Sequence, residues 1–166
     1  MHCCYQRFWQ VWMILVCAIP GASGQALRAS PASAAAGQFA IVEIAFQPKQ
    51  GQQVVALQFD AVIPRQLEVD TRSLPRLLLA VKNTGKLFNC AVPEKTADSQ
   101  RLRCIVAGGQ KAIPAGPLAV LTLKVPEKAP PGAVHIRFEQ ALAVLPDLKQ
   151  LPIDPSEGVV TIRAGQ

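Results

Sequence analysis

Proline and glycine punctuation governs what this chain can fold into. From Phe39 onward, short runs rich in Val, Ile, Leu and Phe are separated by clusters of Pro, Gly and Asn, drawn from the fourteen prolines and eleven glycines of the whole sequence. Proline has no N–H to give to a helix or to an interior ladder, so long helices are barred wherever it recurs. Short apolar runs bounded by turn residues are the pattern of an all-β sandwich of antiparallel strands.

The first residues obey a different pattern. Arg7 precedes the apolar run Phe8 to Ile19, Pro20 follows, and the small residues Gly21-Ala22-Ser23-Gly24 come next. This is the layout of a signal peptide spanning residues 1–24, with cleavage after Gly24. About twelve apolar residues at roughly 1.5 Å rise fall well short of the ~30 Å hydrocarbon core, which weighs against a membrane anchor. A lipoprotein acylated at Cys17 would need a small residue where Val16 stands. The mature protein is therefore expected to be secreted or held at the cell envelope, with no membrane span after cleavage. Residues 25–37, rich in Ala and Ser, offer little to bury and read as a flexible tether. A single folded domain is expected over residues 38–164.

Strands are expected at Phe39 to Phe46, Val54 to Ile63, Lys86 to Ala91, Arg101 to Ala107, Leu118 to Val125, Val134 to Phe138 with an extension toward Leu145, Gln150 to Ile153, and Val159 to Arg163. A short extended piece is expected at Leu67 to Val69. Leu74 to Lys82 reads as a loop with one helical turn, and Glu157-Gly158 as a turn. Alternation turns Leu57 and Phe59 toward the core and Gln58 and Asp60 outward. Phe88 and Cys90 share one face of their strand, and Leu102, Cys104 and Val106 share one face of theirs, leaving Arg101 and Arg103 outside. Paired antiparallel, these two strands bring Cys90 opposite Cys104.

After leader removal these are the only two cysteines, and an oxidising compartment makes a disulfide the simplest reading. Closing a loop of about fifteen residues contributes on the order of 3 kcal/mol. A redox or metal-binding pair is the weaker alternative, because Cys-x-x-Cys spacing is missing and His135 alone cannot complete a zinc site.

Catalytic chemistry finds little to work with. His135 alternates outward in a strand, Ser99 and Ser156 lie in polar turns without a Gly-x-Ser-x-Gly elbow, and the acidic residues are dispersed. Asp147, Asp154 and Glu157 cluster late in the chain, but their irregular spacing suits turn capping better than calcium. No enzyme activity, cofactor or metal is expected. The net charge of +6 is scattered, without the basic, aromatic-interleaved stretch of a nucleic-acid surface. Modules that hold polysaccharide stack sugar rings on exposed Trp or Tyr. Neither remains after residue 24, and of the phenylalanines left, Phe39, Phe46, Phe59, Phe88 and Phe138, at least three are expected to face inward.

The order of segments from Gln52 onward resembles a cohesin domain, in particular the lone cohesin-like domains of exported bacterial proteins. The stretches that carry the likeness are Val55-Ala-Leu-Gln-Phe59 before Pro64, Gly85-Lys-Leu-Phe-Asn-Cys90, Leu102-Arg-Cys-Ile-Val-Ala-Gly108, Ile113 through Leu123, Gly132, and Ile153 with Gly158-Val-Val-Thr-Ile162. The resemblance implies a jelly-roll sandwich of about nine strands. It also implies a non-catalytic module that binds a protein partner, a dockerin-like one, through a sheet face to which Val54 to Ile63 contributes. Ala56 and Gln58 stand before Phe59 where dockerin-binding cohesins tend to carry Asn or Asp. The expected contact face comprises Gln58, Asp60, Arg101 and Arg103; the rival reading is a carbohydrate-binding module of the same superfamily.

Overall fold

The computed structural model describes residues 24–70 and 75–164. The leader expected over residues 1–24 lies outside them, apart from Gly24.

Among the described residues the chain forms β1 (Ala26–Ala29), β2 (Ala32–Ala35), β3 (Phe39–Gln47), β4 (Ala56–Pro64), β5 (Glu68–Val69), β6 (Arg76–Leu77), α1 (Leu79–Lys82), β7 (Leu87–Lys95), β8 (Ser99–Ala107), β9 (Gly116–Lys124), β10 (Gly132–Val144), β11 (Gln150–Pro152) and β12 (Ser156–Arg163). Nine of these strands have four or more residues. A five-stranded sheet runs β1-β3-β9-β5 with β6 also on β9, and a seven-stranded sheet runs β2-β12-β10-β4-β8-β7 with β11 also on β10. All pairings are antiparallel except that of β2 with β12. The result is the all-β jelly-roll sandwich that the segment order implied.

Strand alternation builds the core. Ala40, Val42, Ile44 and Phe46 of β3 face Leu57 and Phe59 of β4 and Val134, Ile136 and Phe138 of β10 across the sandwich, all buried. Each such Val, Leu, Ile or Phe side chain stabilises the fold by roughly 1.5–3 kcal/mol. Phe59 and Phe138 meet edge to face with ring centroids 5.8 Å apart, the arrangement that aromatic quadrupoles favour. Their burial confirms the inward faces read from sequence; Phe46 is buried with them, whereas Phe39 is exposed.

The expected tether is a correction. Within residues 25–37 the chain supplies an edge strand to each sheet, β1 against β3 and β2 against β12. Leu27 is fully buried and Ala34 nearly so. Small side chains are the reason the segment fits there. A Cβ on Gly158 would stand 2.3 Å from the Ala29 Cβ, so the first strand approaches β12 more closely than larger residues permit. Gly158 consequently lies within β12 and not in a turn. The folded unit begins ahead of Gln38, at the very start of the described chain. Elsewhere the differences are of length: β7 continues past Ala91 through an irregularity to Lys95, and β6 precedes the expected helical turn.

Candidate functional site

The seven-stranded sheet presents an outer face on which β4 lies between β8 and β10. The register sets Asp60 opposite Arg103, Val62 opposite Arg101, and Gln58 opposite Ile105 on one side and Leu142 on the other. The four expected contact residues therefore do share one face.

Asp60 points outward yet is wholly withheld from solvent, because the two arginines fold over it. Arg103 donates from Nε to Oδ1 and from Nη2 to Oδ2, both at 2.8 Å, and Arg101 Nη1 donates to Oδ2 at 3.3 Å. The bonds from Arg103 hold the Asp60 carboxyl below its ordinary range, against burial, which would raise it, and with Arg101 reinforcing them. Asp60 thus anchors the guanidinium groups and is not itself a contact surface, which corrects the role that alternation alone suggested for it.

The charges continue across neighbouring strands. Arg101 Nε donates to Glu94 Oε2 on β7 at 3.1 Å, and its Nη1 lies 3.6 Å from Glu139 Oε2 on β10. Glu139 also sits 3.5 Å from Arg137 Nε, and His135 Nδ1 lies 3.2 Å from Glu157 Oε2 on β12. Both arginines are raised above their ordinary value, Arg101 first by Glu94 and then by Asp60, Arg103 by Asp60. Gln140 Oε1 accepts from Arg103 Nη2 at 3.3 Å. Gln140 has φ 49° in the bulge between Glu139 and Leu142, a left-handed conformation that turns its amide toward the arginine. Exposed Leu87 and Ile105 form an apolar shoulder beside the charges. At the Pro64 end, a hollow of about 430 Å³ is lined by Val62, Pro64, Asp98, Ser99, His135 and Arg137 among others.

Behind this face Cys90 and Cys104 form a disulfide, with Cα atoms 4.2 Å apart. It ties the edge strand β7 to β8 directly beneath the arginine pair. The same hairpin is closed by Lys86, a nearly fully buried cation whose Nζ donates to the carbonyls of Gly108 at 2.6 Å and Gly109 at 3.1 Å. Burial pushes its pKa down.

Glu94, Glu139 and Gln140 are the members that sequence reading missed. Glu139 could be placed outward by alternation, but its partner depends on strand order, and the bulge at Gln140 has no signature in the sequence. Among the described residues no group of three or more His, Cys, Asp or Glu is gathered to hold a metal, and no helix is long and apolar enough to cross a membrane. Asp147 instead accepts the Lys149 backbone N–H at 3.1 Å, as a turn cap.

No protein-family model and no curated protein matches the sequence. Solved structures do match. A non-cellulosomal cohesin from the archaeon Archaeoglobus fulgidus superposes with a TM-score of 0.67 at 15% identity, covering 85% of this chain and 92% of that one. A type I cohesin of Clostridium thermocellum, solved in a cohesin–dockerin complex, gives 0.68 at 15% identity over 85% of this chain and 94% of its own. A type I cohesin from Pseudobacteroides cellulosolvens gives 0.68 at 18% identity over 86% and 94%. Sequence divergence this deep, with the architecture retained, shows a common fold.

Proposed function

We propose that this chain, having the cohesin fold, is an exported, non-catalytic module that recognises a protein partner, a dockerin-like one, through the outer face of its seven-stranded sheet. The observation that carries the reading is the Asp60 clamp. It fixes two guanidinium groups in place on a sheet face, so that little side-chain freedom is lost when a partner docks. Arg101, Arg103 and Gln58 are the contact residues, with Leu87 and Ile105 as the apolar margin. A pair of pre-oriented arginines favours a partner offering carboxylates or backbone carbonyls.

Export is supported by the leader pattern, cleaved after Gly24, and by the disulfide, which persists in oxidising compartments outside the cytosol or at the cell envelope. The cohesin–dockerin complex among the structural relatives supports the partner class.

The experiment is calorimetric titration of the mature protein with a panel of type I dockerin modules, beside retention assays on cellulose, chitin and xylan. Binding of a dockerin that weakens at least tenfold, about 1.4 kcal/mol, in Gln58→Ala/Arg103→Ala supports the reading. Retention on polysaccharide with no dockerin bound would move the assignment to a carbohydrate-binding module. Dockerin binding unaffected by the double variant would remove this face.

A further inference from the structure

At the end of the sandwich where the described chain begins, a hollow of about 230 Å³ is lined by Gly24, Gln25, Lys49, Gln52, Pro152 and Asp154 among others. Two of its lining residues carry buried acceptors that lack donors. Gln25 is only 8% exposed and donates Nε2 to the Pro152 carbonyl at 2.8 Å. That bond fixes which way the amide faces and leaves Oε1 buried without a donor; Gln52 Oε1 is buried without one as well. The Asp154 carboxylate stands beside Gly24, since a methyl group on the Gly24 Cα would lie 3.7 Å from Oδ2. Buried acceptors without donors are costly and therefore rare. Two of them grouped with a carboxylate describe a seat for a cation rich in N–H.

We infer that the occupant is the chain's own amino terminus: cleavage after Gly24 frees an α-ammonium on Gln25, which pairs with Asp154 and donates to the orphaned amide oxygens. The inference rests on the cleavage site given under the proposed function. The Gln25 nitrogen is two bonds from the Gly24 Cα, so the new charge arises near the carboxylate, one residue ahead of β1. Lys49 is the other charged group at the hollow, and it serves as the control below.

The same arrangement protects the terminus chemically. An N-terminal glutamine cyclises when its neutral α-amine attacks Cδ, the Cδ–Nε2 bond breaks and ammonia leaves. Here the pairing with Asp154 keeps the amine as an ammonium, which has no lone pair for the attack, and Nε2 is held by the Pro152 carbonyl. Processing also precedes docking of the first strand. Gly24 is exposed, but Gln25 is buried and β1 begins at Ala26, so a peptidase reaches the bond only before β1 pairs with β3.

The full chain is produced in an exporting host and the mature protein is weighed intact. The expected mass is that of residues 25–166 with glutamine uncyclised. A different start overturns the cleavage site and this inference with it, whereas a start at Gln25 lighter by one ammonia overturns the inference alone. A second form, retaining Ser23 and Gly24 through a displaced cleavage site, is then compared by thermal melting. The mature form is expected to melt about 4 °C higher, with the gap abolished by Asp154→Asn and preserved by Lys49→Met. A gap that survives Asp154→Asn, or that disappears in Lys49→Met, overturns the inference. Should Asp154→Asn not fold, amine labelling of the wild-type mature form decides. The Gln25 α-amine is expected to react at least tenfold more slowly in native than in denatured protein, and equal rates would overturn the assignment.

Discussion

Arg103 donates to both carboxylate oxygens of Asp60, each at 2.8 Å, and so completes the burial of a charge that strand geometry points toward water. An outward residue becomes an interior one without changing face. The cost of removing that charge from water is met by two guanidinium groups, and breaking such an arrangement on one side leaves the other side exposed to the penalty.

Asp60 has a folded-state pKa below its ordinary 3.8, so it binds fewer protons folded than unfolded at low pH. Its stabilising contribution is complete above that ordinary value and is lost as pH falls through the lowered folded value. Urea midpoints measured from pH 7 down to pH 2.5 should decline through the acid range, and Asp60→Asn should decline less steeply. Parallel curves for the two proteins would remove Asp60 from the acid transition.

Lys86 is displaced in the opposite sense for a base. Its folded pKa lies below 10.5, so the unfolded chain holds the extra proton between the folded value and 10.5. Stability contributed by this group therefore rises with pH across that window. Lys86→Met should flatten the alkaline limb of a stability profile, and an unchanged slope would contradict the burial of the ammonium group.

The Cys90–Cys104 bond closes a sequence separation of 14. Replacing both cysteines with serine should lower stability by about 3 kcal/mol, or about 10 °C in melting midpoint for a domain of this size. Because β7 is an edge strand whose ladder partner among the described residues is β8, partner affinity should fall together with stability. A loss of stability with affinity intact would show that β7 takes no part in the contact face.

Gly158 has no room for a side chain against Ala29. Gly158→Ala should cost about 1–3 kcal/mol through overpacking, and adding Ala29→Gly should restore much of it. Chemical denaturation of the single and double variants measures the coupling; additive losses would place the two residues apart.

The sequence made the faces of strands legible and left the partners across strands illegible. Val134, Ile136 and Phe138 could be turned inward, and Cys90 set against Cys104, because alternation and a shared hairpin are local properties. Asp60 could be placed outward for the same reason. Its burial could not be read, since that depends on two long side chains of β8 folding over it, and strand order is not written in any one segment. The stretch around Ala26 to Ala35 misled for a different reason. Alanine and serine have weak strand preference and little surface to bury, but here the ladder bonds of β3 and β12 supply the order, and smallness itself is what the close approach to Gly158 requires. Lys86 gave no signal either, because its partners are backbone carbonyls of the Gly108-Gly109 turn.

The parallel pairing of β2 with β12, Ala32 beside Val160, joins two strands that lie far apart in sequence. Such distant contacts form slowly. During synthesis β2 emerges well before β12 and must wait, its ladder groups unmatched, until β12 exists. A product truncated before Ser156 would deprive both β2 and β10 of their neighbour and leave raw sheet margins open to aggregation. Completion of β12 is thus the event that covers the margins of β2 and β10, and chains terminated before it should be recovered as insoluble material.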